Sequence, residues 1–386
     1  MEFALTPEEE RFCQESTDYL RKQKTPELVA ELEARSGYGG GPAYTRLVRQ
    51  MGRDGWLGVG WPEEFGGQGR TPMEQHLFYE ICFYEEIPLP VLGLNTVGPA
   101  IMRIGTDEQK RKYLPPILSG ELEVCVGYTE PDAGTDLASL KTTAVSDGDD
   151  YVINGQKTFI TNGPFADFVV LLARTEEGTG YRGMSLFLVE KTTPGYSVSK
   201  KLDKVGTYSS PTAELAFEDC FVPEGNLLGE RGKGFYHIMW ELQNERIFSA
   251  VAATARAQVA YEMALEYAQQ RVQFGRPIAN LQVIRHKLAD MATQLEAARQ
   301  FAYHVAWLYD NGEYPVKEIS MSKLFATEVA FKVADEAMQI HGGYGYMMDF
   351  LVQQYWRDIR VSRFMAGTSE IQKEIIAGIL IPKEKS

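Results

Sequence analysis

The sequence predicts an α+β protein with an N-terminal helical domain, a central antiparallel β domain and a C-terminal four-helix bundle. Three observations carry that prediction. Helix-start signals recur through the first 120 residues, and between about Leu122 and Gly229 several short β-type runs follow one another with no helix-length periodic segment between them. The run from Phe235 to Phe274 then contains neither Gly nor Pro, which suits one very long helix. At 386 residues, length gives two or three domains as a prior, and the pattern divides the chain into 1–121, 122–230 and 231–386.

Each region has its own grammar. Thr6-Pro7-Glu8-Glu9 reads as an N-cap, a proline at the first helical position and a glutamate at N3. Thr71-Pro72-Met73-Glu74 repeats it, Thr106-Asp107-Glu108-Gln109 offers a third capping box, and the Gly-rich stretches 37–42 and 61–69 read as loops. The strands are expected in YVINGQKTFIT (151–161), FADFVVLLA (165–173), MSLFLVEK (184–191) and AELAFEDCFV (213–222). Asn154-Gly155 between apolar residues is the signal of a hairpin turn. Leu281–Asn311 and Val316–Ile340 follow as further long helices, and Ser369-Glu370-Ile371-Gln372 opens a last short one as a capping box.

Composition narrows the function. With 39 Lys+Arg against 53 Asp+Glu the net charge is −14, which argues against nonspecific nucleic-acid or anionic-membrane binding. The N-terminus MEFALTPEEERF lacks the basic-then-apolar run of a signal peptide, and no apolar stretch approaches a membrane span, so the chain reads as cytoplasmic. Cys13, Cys82, Cys125 and Cys220 form no CxxC pair and the five histidines no HExxH spacing, so no metal is expected. GxxxxGK[ST], GxSxG and a strand-following GxGxxG are all missing.

Four segments can carry chemistry. YTEPDAGTD (128–136) is a turn full of hydroxyls and backbone donors that could bind a polar ring edge or a phosphate, although an ordinary Asx-type turn would look the same. RVQFGRP (271–277) closes the long helix with arginines suited to phosphate, or simply favourable at a helix C-terminus. QIHGGYGY (339–346) has two glycines that could cap a helix or admit a ligand to the backbone. AGTSEI (366–371) opens a late helix, where an anion could sit.

Taken with INGQKTFITNG (153–163) and YWRDIR (355–360), the order and spacing of these segments resemble the acyl-CoA dehydrogenase family over essentially the whole chain. The resemblance implies an FAD enzyme that takes a proton from the α-carbon and a hydride from the β-carbon of an acyl-CoA, leaving a trans-2-enoyl-CoA. Electrons would pass on to an electron-transfer flavoprotein. By position, Val126, Tyr128, Thr129, Gly134, Thr135, Phe159 and Thr161 match residues bordering the flavin or its pyrophosphate, with Phe159 where the family often has Trp. Arg271, Gln273, Phe274, Gln339, Gly342 and Gly343 match positions reaching the FAD of a neighbouring subunit, which implies an oligomer, usually a homotetramer. Thr368 and Glu370 match a further stretch beside the cofactor.

The catalytic base separates branches of this family. Many members carry Glu immediately before the Gly-Thr of the last motif; here that position is Ala366, whose methyl cannot take a proton. A second branch, including isovaleryl- and long-chain-type enzymes, carries the Glu on the long helix, where Glu245 stands in this sequence. Glu245 is therefore the expected base, with Glu241 one turn earlier as the nearest other carboxylate. Arg246 is expected beside the CoA chain or the base, and Ala366 and Gly367 beside the thioester, with the Ala366 N–H as an oxyanion donor. Acyl selectivity is expected to depend on packing among Phe78, Tyr79, Phe83, Ile87, Leu94 and Trp240. Alternatives are a relative with other flavin chemistry (oxidase, desulfinase or oxygenase) or a supporting subunit of a heteromeric dehydrogenase. Residues 51–70 resemble actinobacterial steroid side-chain enzymes, some of them heteromeric, but Glu245 and RVQFG in one chain favour a self-sufficient homomer.

Overall fold

A computed structural model describes residues 4–33, 41–176, 180–208 and 210–381. The Gly-rich stretch expected as a loop at 37–42 lies outside these up to residue 40. In the described residues the helices are α1 (Pro7–Gln23), α2 (Pro26–Glu33), α3 (Pro42–Arg53), α4 (Pro72–Tyr84), α5 (Gly98–Ile104), α6 (Asp107–Leu118), α7 (Gly234–Gln270), α8 (Gln282–Asp310), α9 (Val316–His341), α10 (Val352–Arg360) and α11 (Ser369–Leu380). The strands are β1 (Val124–Gly127), β2 (Thr143–Asp147), β3 (Asp150–Thr161), β4 (Phe168–Arg174), β5 (Met184–Glu190), β6 (Tyr196–Leu202), β7 (Thr212–Pro223), β8 (Leu227–Leu228), β9 (Val272–Gln273) and β10 (Arg276–Pro277). None of the described helices is long and apolar enough to cross a membrane.

The capping boxes form where local sequence places them. Thr71 accepts from the Glu74 N–H while the Glu74 side chain reaches back to the cap, and Thr106 and Gln109 do the same for α6. At α1, the Thr6 N–H donates to Glu9 Oε2 at 2.6 Å and the Glu9 N–H to Thr6 Oγ1 at 3.2 Å. The last box is displaced by one residue. Thr368, not Ser369, caps α11, accepting from the Ile371 N–H at 3.2 Å, and Ser369 Oγ instead donates to Glu328 at 2.6 Å.

The chain packs as two compact units. One comprises residues 23–70 and 88–244, the other residues 1–22, 71–87 and 245–386; the division falls within α7. The first is organised by an eight-stranded sheet of order β6-β7-β3-β2-β4-β5-β8, with β1 added on β4. The sheet is mixed: most pairs are antiparallel, but β1 runs parallel to β4 and β2 meets β4 in parallel at Thr143↔Arg174. The runs FVVLLA and MSLFLV are buried throughout, which removes the alternation of a half-exposed strand.

Asn154-Gly155 is not a hairpin turn. Both residues lie inside β3, with Asn154 opposite Thr143 on β2 and a register shift between Ile153 and Gly155 on the β7 side. Asn154 Nδ2 donates to Asp219 Oδ1 at 3.1 Å, and the Asp219 N–H donates to Asn154 Oδ1 at 2.9 Å, stitching the bulge. Glycine is required at 155 because a Cβ there would fall 2.4 Å from Thr142 Oγ1. The β2–β3 turn is instead Gly148-Asp149, with Gly148 at φ +61°.

In the second unit the Ala-rich face of α7 from Ala250 to Ala268 packs against Leu288, Met291 and Leu295 of α8 and Val329, Ala330 and Val333 of α9. Small side chains there allow close helix approach. The N-terminal helices α1 and α4 join this unit: Met73 and Leu77 pack with Ala306, and Tyr303 Oη donates to Glu80 at 2.5 Å.

Candidate functional site

In the β-sheet unit, β1 runs into the turn 128–136, and the fixing contacts come from buried charge. The Glu130 carboxylate accepts from the Lys141 N–H (2.6 Å), the Thr142 N–H (2.9 Å) and Lys157 Nζ (2.8 Å). Lys157, fully buried, also donates to the Tyr128 carbonyl at 3.1 Å, and the Thr158 N–H donates to the Thr129 carbonyl at 2.9 Å. The turn is thereby locked to β3. Burial pushes the Lys157 ammonium down to about 8 against the pull of Glu130. Burial also works to raise the Glu130 carboxyl, but the charge and hydrogen bonds of Lys157, with the donors at 141 and 142, hold it below the ordinary range.

Just beyond Lys157 the β3–β7 register shifts again, and Phe159 adopts φ +60° with 69% of its surface exposed. A bulky residue in the left-handed region is unusual and here turns a phenyl ring outward. Thr129 and Thr161 are half-buried, Gly134 and Thr135 exposed. Tyr128 is buried and its hydroxyl donates to Glu241 Oε2 at 2.6 Å. The structure thus brings Tyr128, Thr129, Phe159 and Thr161 into one frame, and adds Glu130, Lys157 and Glu241 as parts to which sequence reasoning gave no role in cofactor binding.

In the helical unit, RVQFGRP forms a two-residue hairpin rather than a simple helix end: β9 and β10 pair, with Phe274 at φ +52° and Gly275 at φ +75°. Positive φ at both central residues is the type I′ requirement, which Phe274 masks in the sequence. This hairpin and QIHGGYGY flank a cleft of about 500 Å³ that Arg271, Gln273, Gly342 and Gly343 line. The Arg271 guanidinium lies 5.4 Å from the Tyr344 ring centroid. Tyr267 stacks on His341 at 4.3 Å, and His341 Nδ1 pairs with the Ala337 carbonyl at 2.8 Å. Burial lowers the His341 imidazole, opposed by that bond. Gly342, at φ +60°, ends α9 facing open space. Phe274, 90% exposed, and Gln339, also exposed, do not line the cleft.

The same unit joins Arg246 to the last motif. Glu245 is half-buried on α7, and Arg246, almost fully buried, donates from Nε to the Ala366 carbonyl at 3.3 Å. Burial lowers the Arg246 guanidinium, opposed by Glu245. Ala366 (φ +53°) and Gly367 (φ +93°) both take left-handed conformations. Thr368 caps α11, and Glu370 at the surface is held below the ordinary carboxylate range by its own N–H and then Thr368. Tyr79 and Phe83, expected around the acyl group, meet Phe248 edge-on at 5.3 and 5.0 Å, one turn beyond Glu245.

Each unit by itself offers features that suit part of a large aromatic cofactor carrying phosphates: the β-sheet unit an outward phenyl with threonine hydroxyls on the same segment, the helical unit an arginine- and aromatic-lined cleft. The class these features fit is an oxidoreductase with a dinucleotide cofactor. The chain belongs to the acyl-CoA dehydrogenase family. Its residues 6–121, 125–220 and 232–381 match the acyl-CoA dehydrogenase N-terminal, middle and C-terminal domains. It is 45% identical over 339 residues to an acyl-CoA dehydrogenase of Bacillus subtilis (strain 168), covering 87% of this chain and 89% of the relative. Among solved structures it is similar to acyl-CoA dehydrogenase from Geobacillus kaustophilus, with TM-score 0.91, 40% identity and 98% and 99% of the two chains covered. It is equally similar, at TM-score 0.91 and 37% identity over 99% and 100%, to a chain described under electron transferring flavoprotein of Acidaminococcus fermentans. The protein is accordingly an FAD-dependent enzyme of acyl-CoA dehydrogenation.

Proposed function

We propose that Glu245 is the base that removes the α-proton of an acyl-CoA thioester. The observation that carries this reading is the Arg246–Ala366 hydrogen bond. It ties the helix position next to Glu245 to the turn where many family members keep their base and this chain has only a methyl. FAD, when bound, supplies the acceptor for the β-hydride. The substrate thereby loses one proton to Glu245 and one hydride, and a trans C=C bond forms between its α- and β-carbons.

Thr129, Thr135, Phe159 and Thr161 hold the isoalloxazine and pyrophosphate, with Val126, Tyr128 and Gly134 shaping the same turn. Arg271, Gln273, Phe274, Gln339, Gly342 and Gly343 serve the cofactor of a neighbouring subunit in a homotetramer; the 90% exposure of Phe274 supports a partner there. Thr368 and Glu370 border the cofactor, and Ala366 and Gly367 the thioester. A base on the long helix supports kinship with the isovaleryl- and long-chain-type branch. Its activity belongs to cytoplasmic fatty-acyl oxidation, and the similarity to the Acidaminococcus structure supports an electron-transfer flavoprotein as acceptor.

The test is Glu245→Gln. The variant should retain FAD and lose dehydrogenation by about 10²–10⁴-fold; near-normal turnover refutes the assignment. A screen of straight, branched and ring-bearing acyl-CoAs with an artificial electron acceptor identifies the acyl group.

A further inference from the structure

The turn at Ala366–Gly367 is held from behind by three side chains on three helices. Lys323 of α9, fully buried, donates from Nζ to the Gly367 carbonyl at 2.8 Å. Gln372 of α11, also fully buried, donates from Nε2 to the Gly367 carbonyl at 3.2 Å and the Ala366 carbonyl at 3.4 Å. Arg246 of α7 completes the set on the Ala366 carbonyl. Two cations and an amide therefore converge on two consecutive carbonyl oxygens.

In a trans peptide the C=O and N–H point in opposite directions. Drawing the carbonyls of Ala366 and Gly367 into the interior therefore sends the N–H groups of Gly367 and Thr368 the other way. Neither these nor the Ala366 N–H has an acceptor among the described residues. Burying an ammonium is costly unless it is compensated, and a methionine would fill the space without that cost. What lysine adds is a positive charge behind the oxygen end of the peptide dipoles. Such a charge strengthens these N–H groups as donors to negative charge that develops beside them, and held in place they need no reorganisation to do so. Ala366 supports this reading, because a non-glycine residue in the left-handed region persists only where its surroundings impose it.

We infer that Lys323, assisted by Gln372, is a positioning residue: it fixes the 366–368 turn so that its N–H groups receive the thioester oxygen as the α-proton leaves. The inference rests on the Glu245 reading, since it concerns the same proton removal. Burial, and next the charge of Arg246, push the Lys323 ammonium down to about 8, while Glu328 and Glu370 pull it up; a cation lies close behind the turn.

The test compares FAD-loaded parent, Lys323→Met and Gln372→Met in heavy water with 3,3-dimethylbutanoyl-CoA. The quaternary β-carbon of this probe bars hydride loss, so α-hydrogen exchange reads proton removal alone. Lys323→Met should slow exchange by about 10²-fold, as loss of an oxyanion donor does, with the probe's dissociation constant changed less than about threefold. Exchange within about threefold of the parent, or a loss matched by weakened binding, overturns the inference. Should Lys323→Met fail to fold, Gln372→Met is judged by the same criteria. Exchange that survives Glu245→Gln sinks the base reading alone, because the Lys323→Met ratio still decides the turn. If the parent shows no exchange, the crystal structure of Lys323→Met decides: Ala366 leaving the left-handed region supports the inference, and Ala366 remaining near φ +53° overturns it.

Discussion

Replacing Glu130 with glutamine should destabilise the β-sheet unit more than replacing its partner Lys157 with methionine. Glu130 accepts three hydrogen bonds, two from backbone N–H groups and one from a fully buried ammonium. A glutamine offers one oxygen and turns an NH₂ toward donors, leaving at least one of them without an acceptor and the ammonium without its counter-charge. Removing one partner of a buried ion pair in this way costs about 3–5 kcal/mol. Methionine at 157 fills the lysine's volume; Glu130 loses its counter-charge but keeps two backbone N–H donors, which offset much of the penalty of leaving a buried carboxylate unpaired. The Tyr128 carbonyl loses a partner, at a cost of about 1–3 kcal/mol. At roughly 2–4 °C per kcal/mol for a unit of this size, Glu130→Gln should melt about 6–20 °C lower than the parent. Thermal unfolding of the FAD-free and FAD-loaded proteins reads this ranking. The reasoning is refuted if Lys157→Met loses as much as Glu130→Gln, or if Glu130→Gln stays within about 0.5 kcal/mol of the parent, the usual range of surface substitutions. The pH dependence gives a second check. Folded Lys157 releases its proton near pH 8 while the unfolded chain keeps it to about 10.5, so the unfolded state binds more protons between those values. The parent should therefore gain stability relative to Lys157→Met as pH rises from 8 to 10.

Two further substitutions probe the same unit. Burial lifts the Glu123 carboxyl to about 7, opposed by a hydrogen bond from Tyr44 at 2.7 Å and helped by Asp167. A raised carboxyl is stabilising below its unfolded value and loses that advantage as pH climbs through 7. Glu123→Gln should thus gain on the parent between pH 5 and 8 in urea titrations, by at most about 3 kcal/mol; a parent that gains on the variant over that range contradicts the sign. Gly155→Ala must place a methyl 2.4 Å from Thr142 Oγ1, and overpacking of this kind costs about 1–3 kcal/mol or more. An unchanged denaturation midpoint would mean that the β3 bulge yields freely.

Local signals were legible in the sequence because local chemistry decides them. The capping boxes at Thr6, Thr71 and Thr106 and α7, which has no glycine after Gly234, follow from adjacent residues. The errors arose where tertiary contact reassigns a local signal. Asn154-Gly155 carries turn chemistry, yet the glycine serves a close approach to Thr142 and the asparagine a bulge opposite Asp219. Ser369 resembles a cap, but Glu328 of α9 claims its hydroxyl and the cap moves to Thr368. The motifs that carry the candidate site were legible as strings. Their internal supports were not: lysine is a surface residue by composition, and only the fold shows that Lys157 and Lys323 are fully buried.

Those two lysines bear on how so acidic a chain handles phosphates and a developing enolate. In each unit a fully buried ammonium grips a turn carbonyl, Tyr128 in one and Gly367 in the other, and burial lowers both to about 8. The local compensation differs. Lys157 is neutralised by Glu130, so its contribution is geometric: it fixes the turn and leaves little net field. Lys323 hydrogen-bonds only a carbonyl among the described residues; Arg246 is a like-charged neighbour, and Glu328 and Glu370 attract it without a hydrogen bond, so less of its positive potential is cancelled than at Lys157. The exposed charges of a chain with net charge −14 are screened within about 10 Å at ordinary ionic strength, whereas a buried cation behind oriented peptides is screened much less. The turn proposed to receive the enolate oxygen therefore carries the lysine that has no hydrogen-bonded counter-ion, and the turn proposed to border the flavin and its pyrophosphate carries the paired one.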